Sequence, residues 1–177
     1  MLLTKLRTKI TGRPLGLQKL PKDERDLNLG FLWFGGYEPL HTRKEIKTLS
    51  VKLQRYNTCG WNSSTTGKEV DEDVKLSPRS LVIFGKEAGY ISGDGFSNLR
   101  NNEKTVQKYG IAEERFLSES NGGWSDYSDS ARLTPEARQN ATTHRSETYW
   151  SITNIDGILK AIDDERIVKV GVKWYHA

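Results

Sequence analysis

Cys59 is the only cysteine of the chain, and it lies in the stretch QRYNTCGWNSSTT with Gln54 five residues before it. A cysteine attacks a carbonyl carbon as its thiolate, and a helix N-terminus favours the thiolate of a cysteine placed there. A glutamine amide nearby can donate a hydrogen bond to the oxyanion that forms during such an attack. The pair therefore raises the hypothesis of a nucleophile with an oxyanion donor. The alternative is a small buried thiol, which is the commoner role of a free cysteine.

The composition suits one globular domain with a short N-terminal arm. The chain has 177 residues, of which 35% are hydrophobic, enough to bury a core. A single cysteine excludes an intrachain disulfide framework and a zinc site built on several cysteines. No cofactor and no metal are expected.

Positive charge is concentrated in residues 1–20, which hold five Lys or Arg residues and no acidic residue. A nucleic-acid reader usually carries basic residues across its folded face. We therefore expect a solvated or partner-docking arm, with nucleic-acid binding through the arm as a weaker alternative. The N-terminal residues contain no apolar run long enough for a signal peptide or a membrane span, which predicts a cytoplasmic location.

Helix signals are clearest in the middle of the chain. Ser77 is a good N-cap, Pro78 suits the first helical position, and Gly89 can close the helix. A second helix is predicted over residues 99–109 and is stopped by Gly110.

Two segments near these helices are harder to interpret. Residues 62–70 contain poor helix formers, and they form either a polar loop or a helix imposed by packing. Residues 90–98, YISGDGFSN, predict a glycine-rich loop. Gly93 and Gly95 lack the preceding strand and the third glycine of a nucleotide-binding fingerprint.

The later part of the chain predicts short elements of both kinds. A loop is expected over residues 118–133, then a helix over 135–140, a strand at 146–153, a helix after Asn154, and a strand over 167–174. Helices first and strands late indicate an α+β fold.

Four separated stretches occur in a recognisable order. They are LPKDERDLNLG, LQRYNTCGWNSS, LSPRSLVIFGKEAG, and the pair GDGFSNLRNNEKTVQKYGIAEERF and NIDGILKAIDDERIVKVGVKWY. In this order and spacing they resemble papain-like cysteine peptidases, most closely those of bacteria, archaea and phages. The resemblance covers roughly residues 20–177, and the order of the stretches carries it more than any single motif.

The resemblance implies a fold and a set of roles. The fold is a helical N-terminal lobe followed by the start of a β-rich second lobe. Cys59 is the nucleophile at the start of a helix, and Gln54 is the oxyanion donor, although its spacing is one residue shorter than usual. Gly93 and Gly95, together with Trp61, are expected to bind a peptide or protein substrate. The domains are then a basic arm (1–20), a propeptide-like lead-in segment (21–58) and a papain-like domain (59–177) that is incomplete at its C-terminus.

The catalytic histidine is the missing part of this interpretation. The family places it roughly 130–150 residues after the cysteine, which is beyond position 177. His41 is expected on the surface and His144 in a polar loop. His176 is the remaining candidate, although it would arrive one strand too early.

Three alternatives follow from the missing histidine. The chain is part of a longer or processed peptidase, or His176 serves in a short version of the site, or the protein is an inactive papain-like component of an assembly such as a phage particle. In the last case the location is virion-associated. A strand over residues 167–174 would have an open edge, so another chain or a C-terminal fragment is expected to complete the sheet.

Overall fold

The computed structural model describes residues 51–171, so the basic arm and most of the lead-in segment lie outside the described residues. Within this range the chain forms α-helices joined by loops, and its β structure consists of single-residue bridges. The helices are α1 (Cys59–Glu72), α2 (Pro78–Glu87), α3 (Leu99–Tyr109), α4 (Trp124–Tyr127), α5 (Pro135–Ala141) and α6 (Ile155–Asp163), with 3-10 turns at Ser130–Arg132 and Thr142–His144. Two of the bridges join Leu76 to Glu113 and Ser92 to Phe96.

Side-chain caps determine where four of these helices begin. Each capping oxygen accepts a hydrogen bond from a first-turn amide, which stabilises a helix start by about 1 kcal/mol. The capping residues of α2, α3, α5 and α6 are Ser77, Asn98, Thr134 and Asn154. The helices predicted at these places are confirmed, and α3 ends at Gly110, whose φ of 79° suits glycine.

α1 is a helix although its sequence, CGWNSSTTGKEVDE, is rich in poor helix formers. Its buried residues include Trp61, Ser64 and Thr65, each with 0% of its surface exposed, and the helix packs against both α2 and α3. Tertiary burial therefore supplies the stability that local propensity does not. Of the two predictions for this segment, helix is right and polar loop is wrong.

The core consists of two apolar clusters that share α2. One side of α2 joins the first cluster and the other side joins the second. The first contains Trp61, Leu76, Leu81, Val82, Val106, Ile111 and Tyr127. The second contains Ile83, Phe84, Ala112, Leu117, Leu133, Ala137 and Ala141.

The predicted loop over residues 118–133 is wrong in part. It contains α4 and a 3-10 turn, and Tyr127 of α4 is 2% exposed within the first core cluster. Arg79 holds this region in place, because its guanidinium donates to the carbonyl oxygens of Tyr127 at 3.0 Å and Asp126 at 2.7 Å. These long-range bonds cannot be read from local sequence.

The helical lobe predicted from the sequence is present, but the start of a sheet is not seen in residues 51–171. The predicted strand at 146–153 takes part in only a single bridge at Ser151, and residues 166–171 form no ladder. A strand needs a neighbouring strand to satisfy its backbone groups, and within residues 51–171 these two segments form no ladder. Residues 172–177, the rest of the second predicted strand, lie outside the described range.

The close packing of α1 on α2 gives a testable prediction. A Cβ atom at Gly85 would lie 2.2 Å from Cη2 of Trp61, so Gly85→Ala forces the two helices apart. We expect a loss of about 3 kcal/mol in the free energy of unfolding, measured by chemical denaturation.

Gly123→Ala is the matched control. Nothing lies within 4 Å of a Cβ placed at Gly123, so we expect a loss of about 0.5 kcal/mol from the weaker N-cap. Equal losses in the two variants would contradict the packing described here.

Candidate active site

Cys59 is the first residue of α1, and it is half-buried. The N-cap residue, Thr58, makes no capping bond with its side chain, and the first turn of α1 contains no acidic residue. The Thr58 hydroxyl instead accepts from Nδ2 of Asn62 at 3.0 Å. The amide groups of the first turn therefore receive no hydrogen-bonding oxygen from the side chain of the N-cap residue.

The segment that leads to Cys59 is anchored at its start by a buried ion pair. Lys52 Nζ lies 2.8 Å from Glu69 Oε1, and the two side chains are 7% and 1% exposed. Lys52 also donates to the carbonyl oxygen of Leu76 at 2.9 Å, while the Leu76 amide donates to Glu69 at 2.7 Å. The lead-in segment is thus fixed to the far half of α1 before it reaches the cysteine.

Next along the chain, Tyr56 and Arg55 fix the segment to residues 121–127, a loop that ends in the short helix α4. The Tyr56 hydroxyl donates to the carbonyl oxygen of Gly122 at 2.5 Å, and its ring packs edge-on against Trp124 with centroids 5.3 Å apart. Arg55 donates to Asn121 Oδ1 at 2.7 Å. This loop therefore lies on one side of the segment that precedes Cys59.

Asp126 stabilises the same loop electrostatically. A hydrogen bond from Ser120, together with the nearby guanidinium groups of Arg132 and Arg79, lowers the pKa of the Asp126 carboxyl. The carboxylate therefore remains charged down to acidic pH and keeps both arginines in place.

The glycine-rich loop contacts the same segment at Asn57. Ser92 and Phe96 exchange backbone hydrogen bonds of 3.0 Å, so the loop closes as a tight turn with positive φ at Gly93 and Gly95. The Asn57 amide donates to the carbonyl oxygen of Asp94 at 3.1 Å. The turn predicted for residues 90–98 is therefore held beside the residues that lead to Cys59.

Gly95 is the point of closest approach in this loop. A Cβ atom there would lie 2.8 Å from Cγ2 of Thr58 and 3.1 Å from the carbonyl oxygen of Asn57, so no larger residue fits. Gly93 faces open space apart from the ring of Phe96. Of the two predicted substrate-binding glycines, Gly95 is thus brought against the residues preceding the cysteine, and Gly93 forms the turn.

Trp61 lies elsewhere than predicted. Its side chain is 0% exposed, and its Nε1 donates to the carbonyl oxygen of Gly95 at 3.0 Å. In this structure the buried indole has no exposed surface to offer a substrate. The residue instead ties the glycine-rich loop to α1.

Gln54 is half-buried, and its Nε2 donates to the carbonyl oxygen of Tyr56 at 2.9 Å. The amide thus bonds within the segment that precedes Cys59. Its role as an oxyanion donor remains a prediction.

His144, the one histidine within residues 51–171, belongs to the opposite end of α1. Its Nδ1 lies 2.6 Å from Glu72, the last residue of that helix. A helix of 14 residues is about 20 Å long, so His144 is too far from Cys59 to take a proton from it. His41 and His176 lie outside the described residues.

A cavity of about 700 Å³ lies on another part of α1. Its lining includes Gly67 of α1, Glu103 of α3 and the segment over residues 146–171. Lys169 Nζ reaches Glu103 at 2.6 Å, which holds that segment against the helices. Because Cys59 does not line this cavity, the cavity is separate from the cysteine site.

The fold has a counterpart among solved structures. The chain is similar to xylellain, a cysteine protease from Xylella fastidiosa, with a TM-score of 0.59 and 15% sequence identity. The similarity covers 84% of this chain and 62% of xylellain. No family model and no curated protein matches the sequence. The structural match supports the predicted papain-like fold, and it gives no support to a role in a phage particle.

Within residues 51–171, no helix has both the length and the apolar character needed to cross a bilayer.

The buried ion pair beneath the lead-in segment gives the second prediction. Lys52→Met leaves Glu69 charged and unpaired in the interior, so we expect a loss of about 3–5 kcal/mol in the free energy of unfolding. The exposed pair Lys160–Asp164 supplies the control, since Lys160→Met should cost no more than about 0.5 kcal/mol.

A second substitution tests the cause. Glu69→Gln keeps the acceptor for the Leu76 amide but removes the buried charge. It should therefore recover part of the loss when it is combined with Lys52→Met. If Lys52→Met is no more costly than Lys160→Met, the ion pair does not anchor the segment.

Proposed function

We propose that this protein is a papain-like cysteine peptidase in which Cys59 attacks the carbonyl carbon of a peptide bond. The observation that supports the proposal most strongly is the position of Cys59 at the start of α1, where the N-cap side chain makes no capping bond to the first-turn amides. The likeness of the fold to a cysteine protease agrees with it.

The reaction uses two steps of acyl transfer. The Cys59 thiolate adds to the carbonyl carbon, and the carbonyl oxygen becomes an oxyanion that the Gln54 amide stabilises. The tetrahedral intermediate collapses with cleavage of the C–N bond, and the departing amine takes a proton from the general acid. Water then attacks the thioester, which releases the acid product and regenerates the thiol.

The proton carrier is His176 in this proposal, or a histidine of the chain that completes a second lobe. A second lobe is proposed because this chain spans 62% of the length of xylellain. It would be supplied by further residues or by a partner chain.

The glycine-rich loop is proposed to pair with the substrate backbone. Gly93 and Gly95 carry no side chains, so an extended peptide could approach the loop closely and form strand-like hydrogen bonds. The contact of Gly95 with Asn57 and Thr58, the two residues before the proposed nucleophile, supports this role.

Hydrolysis of a fluorescently labelled casein by the purified chain tests the proposal. We expect Cys59→Ser to lower kcat/KM by at least about a thousandfold, because it removes the covalent route. His176→Ala should cause a comparable loss if that residue is the base, whereas the control His41→Ala should leave the rate unchanged.

Two outcomes would count against the proposal. Activity that survives in Cys59→Ser would exclude Cys59 as the nucleophile. If the wild-type chain shows no activity, either alone or together with a chain that completes the second lobe, the alternative of an inactive binding or structural component is favoured.

A further inference from the structure

Asn57 and Asp94 form a two-point contact next to the proposed nucleophile. The Asn57 backbone amide donates to the Asp94 carbonyl oxygen at 3.1 Å, and Nδ2 of the Asn57 side chain donates to Oδ1 of the Asp94 carboxylate. Two bonds between the same two residues restrict both the sliding and the rotation of the loop. Because Asn57 is two residues before Cys59, the loop is fixed relative to the start of α1.

The hydrogen bond between the Asn57 and Asp94 side chains involves a buried amide, so its loss would be costly. Asn57 is 6% exposed, and its Oδ1 is buried with no hydrogen-bond partner among the described residues. Without Asp94, both polar ends of this buried amide would be unpaired, which is unfavourable. A hydrogen bond to a carboxylate is also stronger than one between neutral groups. The Asp94 carboxylate is therefore the main polar restraint on the Asn57 side chain.

The neighbouring residue extends the same contact. Gly95 packs against Thr58, the last residue before Cys59, and its carbonyl oxygen is held by Nε1 of Trp61. Residues 94–95 thus touch both residues that precede the cysteine. A shift of the loop at Asp94 would therefore move the backbone of Gly95 relative to the Cys59 sulfur.

We propose that Asp94 is a positioning residue, which acts through Asn57 to set the glycine-rich loop in register with the Cys59 sulfur for an extended peptide. The inference rests on the proposed function, since it assigns a role within that site. A small alkylating reagent needs only the sulfur, whereas a peptide-shaped reagent needs the sulfur and the loop together. Asp94 should therefore influence the second reaction and not the first.

The test compares two labelling rates of Cys59, followed by mass spectrometry on the full chain. The reagents are iodoacetamide and a peptidyl epoxide. In Asp94→Ala we expect labelling by the peptidyl epoxide to fall about tenfold or more, while labelling by iodoacetamide stays within about twofold of wild type. Asp94→Asn still offers an oxygen to Asn57 and should retain most of the peptidyl rate.

Asn57→Asp changes the other residue of the same hydrogen bond, and it replaces Asp94→Ala in the test if that variant does not fold. It places two carboxylates against each other at unchanged size, so it should also reduce only the peptidyl rate. Equal changes in both rates, or equal behaviour of Asp94→Ala and Asp94→Asn, would overturn the inference.

Hydrogen exchange of the Asn57 amide separates this inference from the proposed function. Exchange should be about tenfold faster in Asp94→Ala than in Asp94→Asn, because the side-chain bond supports the backbone bond. If the peptidyl epoxide does not label the wild-type chain, the proposed function fails. If the Asn57 amide exchanges equally fast in Asp94→Ala and Asp94→Asn, the Asp94 side chain does not restrain Asn57, and the inference fails.

Discussion

The burial of Trp61 is the constraint on which the described structure depends. The indole is wedged against Gly85 of α2, where a single added methyl group would clash at 2.2 Å. Its ring nitrogen is bonded to the carbonyl oxygen of Gly95. One side chain therefore fixes α1 against α2 and also fixes the glycine-rich loop against α1.

This constraint helps to explain why α1 is a helix. The serine, threonine and glycine residues of α1 have little helical preference, but their small size lets neighbouring elements pack closely. At Gly67, for example, a Cβ atom would lie 3.0 Å from Ile167. Once packing has fixed the helix, the segment before it is fastened by Lys52, Tyr56 and Asn57 to three different parts of the molecule. These three contacts fix the chain on its way to Cys59.

Local signals allowed much of the helical part to be predicted. Ser77, Thr134 and Asn154 determine helix starts through bonds to their own first turns, and such bonds depend on nearby sequence alone. The features that failed depend on distant partners. Residues 146–153 have a strand-like composition, but strand formation requires a neighbouring strand. The helical state of α1 was left open because tertiary burial decided it.

The candidate site was predictable only in part, for the same reason. The resemblance identified Cys59 and the glycine-rich loop, and the structure brings Gly95 against the residues before Cys59. It did not show that Trp61 is buried, since an aromatic residue next to a cysteine can equally line a cleft. The pairs Lys52–Glu69 and Asn57–Asp94 join residues 17 and 37 positions apart, and no local sequence pattern predicts them.

The proposed function requires the folded chain to make the Cys59 thiol more reactive than it is in the unfolded chain. Because the chain has a single cysteine, the same sulfur can be compared in the native and unfolded states. The measurement is the rate of alkylation by iodoacetamide at about pH 6, where an ordinary cysteine is almost fully protonated. We expect the native chain to react at least about tenfold faster than the chain unfolded in guanidinium chloride. An equal or slower rate in the native chain would contradict it, and would make Cys59 a structural residue.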